Sequence, residues 1–237
     1  VASNEAKSLQ LHSWGKIFRS LFKVFFLPSS LFMGVSFFLF NMCISLLDTM
    51  LPVFTIQELG WGNEKYSNLF SSTSLVAGLL GIVIGGALAD FLGKRRMMII
   101  YLFLFIGLMV AMAMLKTYWR TEHFVTGFMV FYYTLYVFIS IASFAIGMQL
   151  CWPRISATQF TLFMAMANLG RSIGAAMLGP LKANMPWEGV FLVVGVIAAG
   201  SLLSVMILRI KRHLVSLNEL ELRHLENETD LLSRLAL

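Results

Sequence analysis

Residues 86–96 read Gly86-Ala87-Leu88-Ala89-Asp90-Phe91-Leu92-Gly93-Lys94-Arg95-Arg96. This stretch closes one apolar run, residues 66–89, and opens another, residues 97–115. Each run is close to the ~20 residues a helix needs to cross the hydrocarbon core of a bilayer. The chain must therefore turn at a membrane surface within a few residues, and the residue types fit that task. Asp90 falls at a helix C-terminus, where the helix dipole disfavours an anion, so it needs a cation or a neighbouring helix N-terminus. Gly93 permits a tight reversal. Three successive cations then hold the turn at the headgroups.

Working outward, four further apolar runs occupy residues 31–54, 123–147, 157–180 and 188–208. The 237 residues are 58% hydrophobic and 13% charged. A soluble domain carries about 25% charged residues, and one this apolar would expose large sticky patches. The expected fold is an all-α membrane protein with six transmembrane helices over residues 31–208. Basic residues test the count. On one side lie Lys7, Lys16, Arg19, Lys23, Lys94, Arg95, Arg96, Arg154, Arg209, Lys211 and Arg212; on the other lie Lys65, Lys116, Arg120 and Lys182. Cytoplasmic loops carry the excess of Lys and Arg, so both ends are expected in the cytoplasm, as an even number of spans requires.

Residues 1–30 read as a cytoplasmic linker. Within it Trp14, Phe18, Leu21, Phe22 and Phe25 recur at helical spacing, punctuated by Lys16, Arg19 and Lys23, as in an amphipathic helix lying on the membrane surface. Residues 209–237 form a cytoplasmic tail that fits a short amphipathic helix or a disordered segment equally. The opening at Val1, inside a polar run, reads as the interior of a longer protein. Cys43 and Cys151 fall in or beside apolar segments and read as small core residues.

Two spans carry stripes of small residues. Ser67, Ser71, Ser74, Gly78, Gly81 and Gly85 share one face of the second span; Thr161, Ala165, Asn168, Ser172, Ala175 and Gly179 share one face of the fifth, with a Gly170–Gly174 GxxxG pair beside it. Small residues let helix backbones approach closely in lipid. At least one stripe is expected to face a partner outside these six helices.

Charges inside a membrane are expensive and mark function. Asp48 and Arg171 are the charged residues well within the spans. Asp48 ends a polar stripe, Asn41-Ser45-Asp48, and lies ~9 Å in from the non-cytoplasmic end of its span; Arg171 lies ~13 Å in from the same end. Arg171 can meet an anionic solute, with Asn168 and Asn41 as polar neighbours, and Asp48 can act as a proton-coupling carboxylate. A structural ion pair, or snorkelling of Asp48, accounts for the same residues. Tyr132 and Tyr136 share a face of the fourth span and can stack on a sugar ring, or simply pack. His12, His123, His213 and His224 lie in loops, at a span edge or in the tail, and no metal or nucleophile motif is present. The reading is therefore a carrier and not an enzyme, with no cofactor and no metal. Basic residues sit in loops and make no nucleic-acid footprint.

The stretch 86–96 is similar to the loop signature of the major facilitator superfamily, G-x-L-A-D-x-x-G-[KR]-[KR]-R. The resemblance implies that this chain is the C-terminal half of a twelve-helix carrier whose N-terminal six helices are its partner. It also implies that Gly86, Asp90, Gly93, Arg95 and Arg96 form a cytoplasmic gating loop. A narrower match, Ile155-Ser156-Ala157-Thr158-Gln159-Phe160-Thr161-Leu162 followed by Asn168-Leu169-Gly170-Arg171, resembles the eleventh span of AmpG-type muropeptide permeases, a branch that includes acetyl-CoA transporters. Proton-coupled import of an anhydro-muropeptide across a bacterial inner membrane is what this implies. Asn41-Met42-Cys43-Ile44 departs from that branch, which has a charged Lys-Leu-Gly-Asp cluster there. A carrier for another anionic metabolite, or a non-transporting scaffold or receptor on a carrier fold, are the alternatives.

Overall fold

The computed structural model describes residues 15, 21–22 and 24–235, without the side chains of residues 89, 90, 92, 224 and 226–235. From residue 28 onward they form eight α-helices and no strand: α1 Pro28–Gln57, α2 Asn63–Leu80, α3 Gly86–Leu92, α4 Lys94–Met114, α5 Glu122–Gln149, α6 Ser156–Asn184, α7 Trp187–Ile207 and α8 Ile210–Leu235. A π-helical turn, Gly81–Gly85, joins α2 to α3, so that α2, the turn and the start of α3 make one span, Asn63–Leu88. Six segments are long and apolar enough to cross a membrane, each over one of the six runs read from the sequence. The spans overshoot those runs at several ends. Pro180, taken as the end of the fifth span, lies inside α6, which continues to Asn184.

The centre of the bundle is α1. It packs most extensively against α6 and also against α7; α4 fills the space between α7 and α5, and α2 leans on α5. The α1–α6 contact explains the GxxxG pair. A Cβ built on Gly170 would fall on the carbonyl oxygen of Phe38, and one on Gly174 on that of Met42. Both positions advance together, so the two helices run parallel. No side chain larger than hydrogen fits at either glycine while the backbones stay this close. Against α7, the hydroxyls of Ser36 and Ser201 meet at 2.9 Å. Near the C-terminal end of α1 Phe54 is ringed edge-on by Trp119, Trp187 and Phe191.

The two stripes fare differently. All six small residues on the α6 stripe are exposed. The α2 stripe is split: Ser67 and Ser71 are exposed, whereas Gly81 and Gly85 are buried against Val137 and Ile141 of α5. The buried line of this span runs through Thr73, Ala77, Gly81 and Gly85, in steps of four, and leaves Ser67 and Ser71 outside it.

The loops at the Gly93 end of the bundle are tightly tied. Gly93 has φ 80°, the left-handed region that favours glycine, and it joins α3 to α4. Beyond it the Nη2 of Arg95 donates to the carbonyl of Met206 at 2.6 Å and its Nε to that of Val205 at 3.3 Å. These carbonyls belong to the last turn of α7, where that of Val205 also accepts the Leu208 N–H and a cation suits the dipole. The tail forms α8, which resolves its two readings in favour of helix. Leu217 of α8 packs with Leu21, Val24, Trp152 and Ile155. Trp14 and Phe18 of the expected surface helix lie outside the described residues.

Candidate solute site

Asp48 sits two turns before the C-terminal end of α1. Pro52, four residues on, has no N–H to give the Asp48 carbonyl, so the regular helical donor is missing there. The carboxylate itself is held from two sides. Tyr132 of α5, fully buried, donates its hydroxyl to Oδ1 at 3.0 Å. Arg171 of α6 brings Nη2 to Oδ2 at 3.4 Å. Asp48, Tyr132 and Arg171 thus meet from three helices, although 123 residues separate Asp48 from Arg171.

The quality of this pair matters. A strong charge-assisted hydrogen bond runs at about 2.7–2.9 Å, and an arginine fork makes two of them. Here one nitrogen makes one contact at 3.4 Å, and among the described residues Arg171 has no other hydrogen bond. The side chains are 42% and 34% exposed. The guanidinium therefore keeps most of its donors for something else, on the open side of α6.

Aromatic rings close one flank. Tyr132 and Tyr133 lie 4.6 Å apart between ring centres, Phe70 of α2 meets Tyr133 edge-on at 5.3 Å, and Tyr66 lies 6.0 Å from Phe70. The Tyr133 hydroxyl is buried, with Tyr66 beside it but short of full hydrogen-bond geometry. A buried donor left open in this way is a place for a solute atom or a water.

The remaining expected residues are spread around this centre. Asn168 is exposed one turn before Arg171. Asn41 is half-buried and donates to Phe37 of its own helix. Tyr136 is half-buried and stacks on Phe40. With no exposed ring face, Tyr132 serves in this conformation as the partner of Asp48 and not as a stacking platform. The sequence reading passed over Tyr66; its spacing from Phe70, one turn on, was the available signal. The loop residues Gly86, Gly93, Arg95 and Arg96 belong to the opposite end of the bundle, with Asp90 in the last turn of α3.

Gln159, within the Ser156–Gln159 stretch, also acquires a place. Fully buried, it donates to the Ser30 hydroxyl and the Leu150 carbonyl, both at 3.2 Å, and accepts from the Trp152 N–H at 2.9 Å. It fastens the turn between α5 and α6 to α1, which fixes where α6 begins and hence where Arg171 falls.

Comparison with known proteins agrees with this architecture. A relative described as "Putative transporter AmpG 1", from Rickettsia bellii (strain RML369-C), is 28% identical over 151 residues, which is 58% of this chain and 34% of that protein. The match thus spans about a third of the relative's length. The sequence profile of the Major Facilitator Superfamily matches residues 2–175, most of the chain. With six apolar helices and the signature loop in place, this integral membrane protein belongs to the major facilitator superfamily.

Proposed function

We propose that the protein is a secondary active carrier working by alternating access, and that it takes up an anionic solute of the anhydro-muropeptide type with protons. Residues 31–208 are then the C-terminal half-bundle, with residues 1–30 and 209–237 on the cytoplasmic face of a bacterial inner membrane. The long, single-contact pair between Arg171 and Asp48 carries this reading. A carboxylate or phosphate on the solute offers the guanidinium two parallel hydrogen bonds and displaces Asp48. The released carboxylate, kept in place by Tyr132, takes up a proton and gives it back when the solute leaves. Asn168, Asn41 and Tyr136 supply polar contacts around the charge. At the far end Gly86, Asp90, Gly93, Arg95 and Arg96 act as the cytoplasmic gate, Arg95 through its hold on the end of α7.

Uptake of a labelled anionic sugar–peptide into vesicles, driven by an imposed proton gradient, tests this. Arg171→Gln should lose uptake at least 100-fold. Asp48→Asn should exchange solute across the membrane but no longer accumulate it against a gradient. If the double variant Arg171→Gln/Asp48→Asn transports like the unaltered protein, the pair is structural and the reading is wrong.

A further inference from the structure

A groove of about 1390 Å³ opens where the α3–α4 turn meets the junction of α7 and α8, far from the Arg171 pair. Among the described side chains its lining includes Lys94, Arg95, Arg96, Arg209, Lys211 and Arg212, and no acidic residue. Arg95 is engaged with the end of α7. Among the described residues none of the other five side chains forms an ion pair. The opposite end of the bundle differs: there Lys65 pairs with Glu122 and Lys116 with Glu188.

The rest of the lining is apolar and outward-facing. Phe91, Met206 and Ile207 are 87%, 53% and 51% exposed. All three stand within a few residues of the ends of two spans. Cations grouped beside exposed apolar side chains, at the depth where a helix leaves the hydrocarbon, match an amphiphile with an anionic head. A free metabolite would have no use for the apolar rim, and an unpaired cationic cluster is costly to hold together without an anion. A second hollow of about 450 Å³, lined by Leu27, Phe32 and Ile207, shares Arg209 and Arg212 with the first and extends the apolar surface along α1.

We infer that this groove binds an anionic phospholipid, its phosphate held by Arg96, Arg209, Lys211 and Arg212 and its acyl chains lying on Phe91, Met206 and Ile207. Basic pockets between transmembrane helices select such headgroups. The lipid would brace the signature loop against the start of α8. This inference does not depend on what the protein transports.

Native mass spectrometry of the purified full-length protein reads it directly, by titration with phosphatidylglycerol, with phosphatidylcholine, and with inorganic phosphate as competitor. Phosphatidylglycerol should bind with a saturable stoichiometry that phosphatidylcholine does not match. At roughly fivefold per cation, Arg209→Gln/Lys211→Gln/Arg212→Gln should weaken it on the order of 100-fold. Replacing the same three positions by the other basic residue should restore binding, which separates lost charge from lost fold. Lys65→Gln/Lys182→Gln, at the opposite end, should leave it unchanged. Equal binding of the two lipids, or undiminished binding in the triple variant, overturns the inference. So does displacement of the lipid by phosphate at equal concentration, which would mark a free-anion site.

Discussion

Helices α6 and α7 follow one another in the chain and both span the membrane, yet they turn unlike faces outward. The exposed residues of α7 include Leu192, Val196, Leu203, Met206 and Ile207. Those of α6 include Thr161, Ala165, Asn168, Ser172, Ala175 and Gly179, with Leu169 and Ile173 alongside. The face of α7 suits lipid tails, which need nothing but apolar surface. That of α6 suits close approach by another helix, or contact with a polar solute, because it is shallow and carries hydrogen-bonding groups. Arg171 stands at the edge of this second face. Polarity of the uncovered surface thus separates the two sides of the bundle, while overall hydrophobicity does not.

The strongest test of the contrast sets the two sides of α6 against each other. Gly174→Leu should abolish recovery of folded protein, since any side chain there collides with the backbone of α1. Ala175→Leu, one residue on and facing out, should leave yield and Tm close to normal while impairing uptake. Size-exclusion profiles and thermal melts in detergent read this; similar behaviour of the two variants would erase the distinction. A smaller effect is expected from placing a charge on each outward face. Val196→Asp on α7 should add roughly the 2.5–3.5 kcal/mol that insertion scales assign to an aspartate at mid-span. Ser172→Asp on α6 should add clearly less in the assembled protein, because Arg171 and an open polar face are at hand. Equal penalties in denaturation from lipid micelles would mean that α6 also faces lipid.

The smallest effect is expected just beyond α7, where α8 folds back on the bundle. Buried His213 has its Nε2 2.9 Å from the Leu150 carbonyl, an acceptor only, so this nitrogen carries the proton. Burial holds its pKa below the ordinary value for histidine. The undocked helix therefore binds more protons than the docked one as pH falls through about 6.5, and docking is weakened there and intact above it. Proteolysis of α8 should accelerate modestly from pH 7.5 to pH 5.5, and His213→Gln should flatten the profile. A flat profile in the unaltered protein would exclude the histidine as the cause.

Much of this molecule was legible beforehand where one helix decides for itself. Gly93 reverses the chain at positive φ as its place before three cations required. Gly170 and Gly174 make the close contact that their spacing announced, and the α6 stripe beside them stays uncovered. The α2 stripe is split, because the buried line of that span runs through Thr73, Ala77, Gly81 and Gly85 and leaves Ser67 and Ser71 exposed. Arg95, read as part of a charged turn, caps α7, 110 residues away. Glu221, unremarkable in the tail, accepts from Arg154 at 2.9 Å and from the Trp152 indole at 2.8 Å, in a largely buried node that holds α8 down.

By itself, the sequence determined the number of spans, their solvent and the alternation of basic loops, because a bilayer demands about 20 apolar residues per crossing and retains cations on one side. It also determined which residues share a face within a helix, since the α-helical period is known. Which helix each face meets was decided only in the tertiary structure. Asp48 could have snorkelled, paired or stood alone; it pairs with Arg171 and Tyr132 because the glycines of α6 let that helix lie directly on α1, while α5 closes from the other side. Helix periodicity sets angles about one axis, and only packing sets one axis against another.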